Sequence, residues 1–362
     1  MPVDPHISEA IGRPDLIRLD DGVVCLRFET MKVVSALAAV RHLLSTGAVR
    51  PGDTLLDSSS GIYAHALALA CHRYGLRCHI VGSTTVDRTL RAQLRILGAR
   101  LEQMEPTPDL KLDQRRRVAR IREILAEHPE YHWMRQYHDD IHCLGYRAVA
   151  DRVHESCGGR PLTLVGGVGS GASTAGLARR LRERTSGVRL VGVQPFGSVT
   201  FGAEQVPDPE IIIAGIGSSI PFGNVDHTLY DTVHWVGFTA ARAGSVALLR
   251  DHAVFAGLST GAAHLAARWE RGLAPDRTVV FIAPDTGHRY VDAVFADAPI
   301  GDPSFADADA DPVPPPAYAP HEAAGPDDLV MPWTRLEWNR ACAPPEGDGT
   351  AERHLATASR PL

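Results

Sequence analysis

Residues 162–174 read Leu-Thr-Leu-Val-Gly-Gly-Val-Gly-Ser-Gly-Ala-Ser-Thr, an apolar run of strand length, a glycine-dense turn, and a helix start. Gly167, Gly169 and Gly171 carry no side chain to keep an anion away from their backbone N–H groups. The helix opening near Ser173 adds its own unpaired N–H groups and the positive end of its dipole. The pattern predicts a phosphate-bearing ligand at the carboxyl end of a buried strand.

Three ligand classes compete for such a loop. A nucleoside-triphosphate loop of the Walker type ends in Gly-Lys-Ser/Thr, and the only lysines are Lys32 and Lys111, so that reading fails. Gly167-x-Gly169-x-x-Ala172 fits a relaxed dinucleotide fingerprint, but the next strand, 188–193, ends in Gln194-Pro195 without the required carboxylate. A monophosphate cofactor is the third reading and is preferred over the dinucleotide, pyridoxal phosphate being the commonest, and it needs a lysine to carry it. The scarcity of lysine leaves two candidates.

Composition narrows the class. The chain has 362 residues, 44% hydrophobic and 22% charged, enough for two α/β lobes. A net charge of −6 argues against nucleic acid as a partner. No run approaches the roughly 18 apolar residues of a membrane span. The N-terminus lacks a basic segment followed by an apolar one, and six cysteines are scattered without a CxxC pair. The expectation is a cytoplasmic protein with reduced thiols.

From Val33 onward helix and strand alternate, the signature of parallel sheets flanked by helices. Helices are predicted over 33–46, 62–74, 88–97, 110–127, 145–156, 173–184, 239–252 and 260–271. Strands are predicted over 23–27, 54–57, 78–81, 100–103, 162–165, 188–193, 232–236 and 278–283. Two lobes are expected: a larger, cofactor-binding one from residues 1–32 plus 141–300, and a smaller substrate one from 33–140. Residues 301–362 read as a partly ordered tail. Its Asp, Ala and Pro cannot bury enough apolar area to fold alone, and the 331–338 segment with two tryptophans can dock on a neighbouring surface.

Several blocks, in order over about 290 residues, resemble the fold-type II pyridoxal-phosphate enzymes, and within them the cysteine synthase and cystathionine β-synthase group. Ile11-Gly-Arg-Pro-Asp-Leu-Ile-Arg-Leu19 is similar to IGxTPLVxL, and Thr30-Met31-Lys32 to the S-x-K motif of the cofactor lysine. Asp57-Ser-Ser-Ser-Gly61 stands where E-P-T-S-G-N-T-G is expected. Gly98-Ala99, Gln136-Tyr137, Gly167–Ser173, Gly215-Ile-Gly217, Gly257–Gly261 and Pro284-Asp-Thr-Gly-His-Arg-Tyr290 resemble further blocks. The resemblance implies a two-lobed, tryptophan synthase β-like fold, a homodimer, and pyridoxal 5'-phosphate as cofactor.

It also assigns residues. Lys32 would carry the cofactor and take the proton from the substrate Cα; a partly desolvated amine near a helix N-terminus has a lowered pKa, which suits the role. Gly167, Gly169, Ser170, Gly171, Ala172, Ser173 and Gly217 would hold the cofactor, with the Thr286 hydroxyl at its pyridine nitrogen. Ser59, Ser60, Gly61, Tyr63 and Gln136 would bind the amino acid, whose carboxylate suits a helix N-terminus. No metal is expected: His138 and His142 have a helical ligand spacing but no accompanying catalytic glutamate, and substrate recognition is the reading preferred for this segment.

The chain departs from the pattern in places. Ile62, Tyr63 and Ala64 replace the asparagine, threonine and glycine of the loop, Val33-Val34 replaces an Asp-Arg pair, and Ala172 replaces a glycine. The loop before Lys32 is also shorter. The substrate side is therefore reshaped. The implied reaction is β-replacement on O-acetyl- or O-phospho-L-serine through an aminoacrylate, giving cysteine with sulfide or a 2,3-diaminopropionate-type amino acid with an amine. β-Elimination by a lyase, or a silent relative that binds a partner, are the alternatives at this point.

Overall fold

The computed structural model describes residues 3–83, 86–105, 110–209, 215–296 and 319–341; the Asp/Ala/Pro-rich 301–318 and residues 342–362 of the expected tail lie outside them. A short helix α1 (Ile7–Ile11) leads into strands β1 (Asp15–Asp20) and β2 (Val23–Arg27). Then come α2 (Lys32–Thr46), β3 (Thr54–Ser58), α3 (Ile62–Tyr74), β4 (Arg77–Gly82), α4 (Arg88–Ile96), β5 (Arg100–Gln103), α5 (Leu110–Glu127) and β6 (His132–Trp133). The second half runs α6 (Tyr146–Cys157), β7 (Leu162–Gly167), α7 (Ala172–Arg184), β8 (Arg189–Gln194), β9 (Thr232–Val236), α8 (Phe238–His252), α9 (Leu258–Leu273) and β10 (Thr278–Ala283). The chain closes with β11 (His321–Glu322), β12 (Trp333–Leu336) and α10 (Trp338–Ala341).

Two sheets result. The smaller has the order β5-β4-β3-β6, all parallel. The larger has the order β1-β2-β10-β7-β8-β9-β12-β11 and is parallel from β2 to β9. Its central strands are buried along nearly their whole length, as strands covered on both faces must be. Alternate side chains of β10 divide between the two layers. Val280 and Ile282 pack with α6 and α7, while Val279 and Phe281 pack with α8 and α9. In the smaller sheet Leu55 and Ile80 face α2, α3 and α4, and Leu56 and Val81 face Ile121 and Ile124 of α5.

The larger sheet is antiparallel at both flanks, which the alternation of helix and strand does not predict. β1 turns into β2 through Asp21-Gly22, with Gly22 at φ +83, a hairpin turn that glycine permits. β12 pairs antiparallel with β9, so part of the segment expected as tail completes the sheet. The Trp333 indole N–H donates to His234 Nδ1 (3.0 Å), and His234 Nε2 meets Glu270 Oε1 at 3.0 Å. Arg335 Nε donates to the same Glu270 oxygen (2.7 Å), and its remaining donors reach Glu322 and Glu337. His234, Glu270 and Arg335 are all buried.

Burial alone would raise the Glu270 pKa, but the hydrogen bonds from His234 and Arg335 outweigh it and hold the carboxyl at about 2. The carboxyl therefore stabilises the fold above its ordinary value of 4.5, and that contribution is lost as pH falls through about 2. Glu270→Gln removes the negative charge between His234 and Arg335, leaving Arg335 with Glu322 and Glu337, and is expected to cost about 1.5–3 kcal/mol at pH 7. Urea unfolding should show that loss, with the gap to wild type narrowing as the pH is lowered below 4.5.

Candidate active site

The strand β2 stops at Arg27, and residues 28–31 are stitched to the end of β10. Phe28 N–H donates to Ala283 O (2.9 Å), Met31 N–H to Pro284 O (2.8 Å), and Thr30 bridges Asp285. Lys32 follows as the first residue of α2. Its side chain is half-buried, yet the amine lies among protein atoms and donates to Ser170 Oγ at 3.0 Å. Burial lowers the Lys32 pKa to about 8, with the Cys143 thiol pulling the other way. An amine of that pKa is unprotonated in a useful fraction near neutral pH and can act as a nucleophile or base.

Ser170 belongs to the turn between β7 and α7. A methyl group at Gly169 would lie 2.3 Å from Gly215 O, and one at Gly171, whose φ is +82, would lie 2.7 Å from Asn224 O. The turn is thus pressed against the 215–217 segment, and Gly217 N–H donates to Val168 O at 2.9 Å. Ala172, buried, is the first residue of α7, one position earlier than expected, and Ser173 is buried behind it. The first N–H groups of this 13-residue helix have no intrahelical acceptor. They open on the turn that carries Ser170.

The smaller lobe supplies a second loop, at the carboxyl end of β3. Ser59 is buried and its hydroxyl accepts from Ala64 N–H (3.1 Å), capping α3; the Ser60 hydroxyl accepts from Ser83 N–H (2.7 Å). Gln136 is buried, donating from Nε2 to Ser58 O (2.7 Å) and from its backbone to Asp57 Oδ2 (3.0 Å). Asp57 also accepts from the Trp133 indole (3.2 Å), and burial pushes its carboxyl up to about 6. Tyr63 is buried edge-on to His142, its hydroxyl without a partner in the structure.

Thr286 sits past β10 and its hydroxyl meets His288 Nδ1 at 2.9 Å. Next to it Asp285 is buried with Oδ1 unpartnered, and burial raises its carboxyl to about 7. His138 and His142 go separate ways: His138 Nδ1 accepts from Gly223 N–H, whereas His142 meets Met134 O and the Ser35 hydroxyl. Among the described residues no group of three or more His, Cys, Asp or Glu could hold a metal ion.

Two residues near the site were not singled out from sequence. Arg117 of α5 is buried and donates to Ser58 Oγ at 2.6 Å, with the Tyr137 hydroxyl also beside it. Its signal was helical phase, since Arg117, Ile121 and Ile124 share one apolar stripe within a basic run. Asn224 donates from Nδ2 to Gln136 O (3.1 Å) and Asp139 O (3.0 Å), joining the lobes. Nothing local in the sequence marks that contact.

Two α/β lobes, with a desolvated lysine amine at a glycine-lined helix N-terminus between them, define the class of the cysteine synthase-like, fold-type II enzymes. The family profile "Pyridoxal-phosphate dependent enzyme" matches residues 24–285, and the chain belongs to that family. Pyridoxal phosphate is accordingly its cofactor, and the protein is an enzyme of the cysteine synthase type. The chain is 31% identical over 310 residues to N-(2-amino-2-carboxyethyl)-L-glutamate synthase of Ralstonia nicotianae, covering 80% of this chain and 89% of that one. It is 27% identical to rabbit cystathionine beta-synthase (Oryctolagus cuniculus), covering 81% of this chain and 56% of that protein. In fold it resembles O-acetylserine sulfhydrylase isoform 3 from Entamoeba histolytica, with a TM-score of 0.74 at 21% identity over 83% of this chain and 94% of that one.

The residues present fit the cofactor. The glycine turn leaves no room for a Cβ, the helix N-terminus is suited to phosphate, and the one lysine amine among them is desolvated. Gly169→Ala must move backbone against backbone, so it is expected to keep its secondary structure by circular dichroism. It should also lose at least tenfold in pyridoxal-phosphate affinity by absorbance titration, about the 1.4 kcal/mol of one or two hydrogen bonds. Reductive methylation of the cofactor-free protein, read by mass spectrometry on the Lys32 peptide, is expected to rise with a midpoint near pH 8. A midpoint above 10 would mean the amine is fully solvated.

Proposed function

We propose that the protein catalyses β-replacement on O-phospho-L-serine, with an amine as the incoming nucleophile. When bound, pyridoxal phosphate supplies an electron-withdrawing ring that stabilises negative charge at the amino acid Cα. The chain's own residues do the rest. Ser59, Ser60 and Gly61, with Gln136 behind them, receive the α-carboxylate at the N-terminus of α3, where the free N–H groups and the helix dipole favour an anion. Lys32 Nζ, kept near its working pKa by burial and steered by Ser170, takes the proton from Cα. The Cβ–O bond breaks and phosphate departs with the bonding electrons. A Cβ–N bond forms from the lone pair of the amine, whose proton is released, and Lys32 Nζ returns the proton to Cα.

The buried guanidinium of Arg117 is the observation that carries the phosphate assignment. It lies one residue from the carboxylate loop, through Ser58, with the Asp57 carboxyl nearby. A leaving group that keeps two negative charges suits such a cation; a neutral acetyl ester does not use it. Support for an amine comes from the name of the Ralstonia relative, whose product carries a 2-amino-2-carboxyethyl unit on the nitrogen of L-glutamate. Cysteine formation with sulfide is the outcome that would replace this part of the reading.

Steady-state kinetics with O-phospho- and O-acetyl-L-serine, each with L-glutamate, other amino acids and sulfide, test the proposal. O-phospho-L-serine is expected to have the higher kcat/KM. Arg117→Met should lower that value about 10- to 100-fold, the worth of a charge-assisted hydrogen bond, and change the O-acetyl value less than threefold. Equal losses on both esters would contradict the assignment.

A further inference from the structure

One turn before Arg117 on the same helix stands Gln114, and its carbonyl oxygen crosses the cleft. Gln114 Oε1 accepts from the backbone N–H of Ser219 (3.2 Å) and from the Ser219 hydroxyl (2.5 Å). The Ser218 hydroxyl also approaches it at 3.3 Å, sharing its proton with Ile220 O at 2.6 Å. A backbone N–H can only donate, so the contact requires an acceptor at this position. The segment it grips continues directly from Gly215 and Gly217, which close over the glycine turn of the cofactor cradle. One face of α5 therefore holds two groups at i and i+3: Arg117 on the substrate loop of the smaller lobe, and Gln114 on the cradle of the larger.

We propose that Gln114 is a positioning residue that keeps the 215–220 segment closed against α5, and that it decides whether the activated three-carbon unit reaches the nucleophile or is lost to water. The inference rests on the β-replacement reading above. In replacement, the nucleophile's N–H bond and the substrate's Cβ–O bond break and a Cβ–N bond forms. In the competing hydrolysis, O-phospho-L-serine and water give pyruvate, ammonia and phosphate, with no oxidant or reductant involved. Water has more access when the 215–220 segment lifts away from α5, and the closed contact excludes it. The same helix senses the leaving group through Arg117, so closure and substrate recognition share one rigid element. Asn224, bonded to Gln136 O and Asp139 O, holds the neighbouring edge of the cleft independently, so loss of the Gln114 contact frees the 215–220 segment without separating the lobes.

The test measures pyruvate against replacement product in the pyridoxal-phosphate-loaded enzyme, together with hydrogen exchange of the amides of residues 215–220. Gln114→Leu removes the acceptor and is expected to raise the pyruvate-to-product ratio about tenfold, on the scale of two lost hydrogen bonds, and to speed exchange at Ser219. Gln114→Glu retains an acceptor oxygen and is expected to restore both readouts to near wild type. Ser219→Ala removes only one of the donors and should give an intermediate ratio. It also serves as the second variant should Gln114→Leu fold poorly by its urea midpoint. An unchanged ratio and unchanged exchange in folded Gln114→Leu overturn the inference, as does a Glu variant that behaves like Leu. If wild type forms no replacement product with any nucleophile, the functional reading fails, and the exchange at Ser219 still decides whether Gln114 holds the cleft.

Discussion

An amine removed from water at the meeting point of two lobes is the constraint on which the architecture turns. Desolvation disfavours the charged ammonium, and Lys32 responds with a pKa near 8 rather than 10.5. Holding it there takes elements far apart in the chain: the 28–31 stretch tied to the end of β10, the first turn of α2, and Ser170 from the turn after β7. That turn can reach the lysine because it has no side chains to hold it off the 215–217 segment. The parallel strands bring these pieces to their carboxyl ends, where helix N-termini gather and anions are favoured.

The smaller lobe answers with a different chemistry on the same plan. Its loop after β3 also ends in a helix N-terminus, but the polar groups around it, Asp57, Ser58, Gln136 and Arg117, are buried side chains bonded to one another. Such a network is rigid when every member is satisfied and costly when one is removed. The two loops face each other through contacts that include Asn224 and Gln114, alongside apolar packing in which Tyr137 stacks on Phe222 and Val34 joins the larger lobe's core.

Much of this was legible in the residues. The buried runs of β7 to β10 and the glycine turn announce themselves over a few positions, and predicted element ends differ from the observed ones by one or two residues at most places. The two sheet flanks were not legible in the same way. Asp21-Gly22 is a local hairpin signal that the helix–strand alternation, which begins only at Val33, does not include, whereas β12 pairs with a strand about a hundred residues earlier, and nothing in its own sequence names that partner. At the site, small residues in fixed order pointed to the glycine turn and to Lys32. Arg117 was hidden among exposed arginines, and Gln114 carries no local signal, because its meaning comes from the loop that folds against it.

The most direct measurement is borohydride reduction of the pyridoxal-phosphate-loaded protein followed by peptide mass spectrometry. The account predicts a single reduced adduct, on the nitrogen of Lys32. An adduct on Lys111, or none on correctly folded, cofactor-saturated protein, would contradict it.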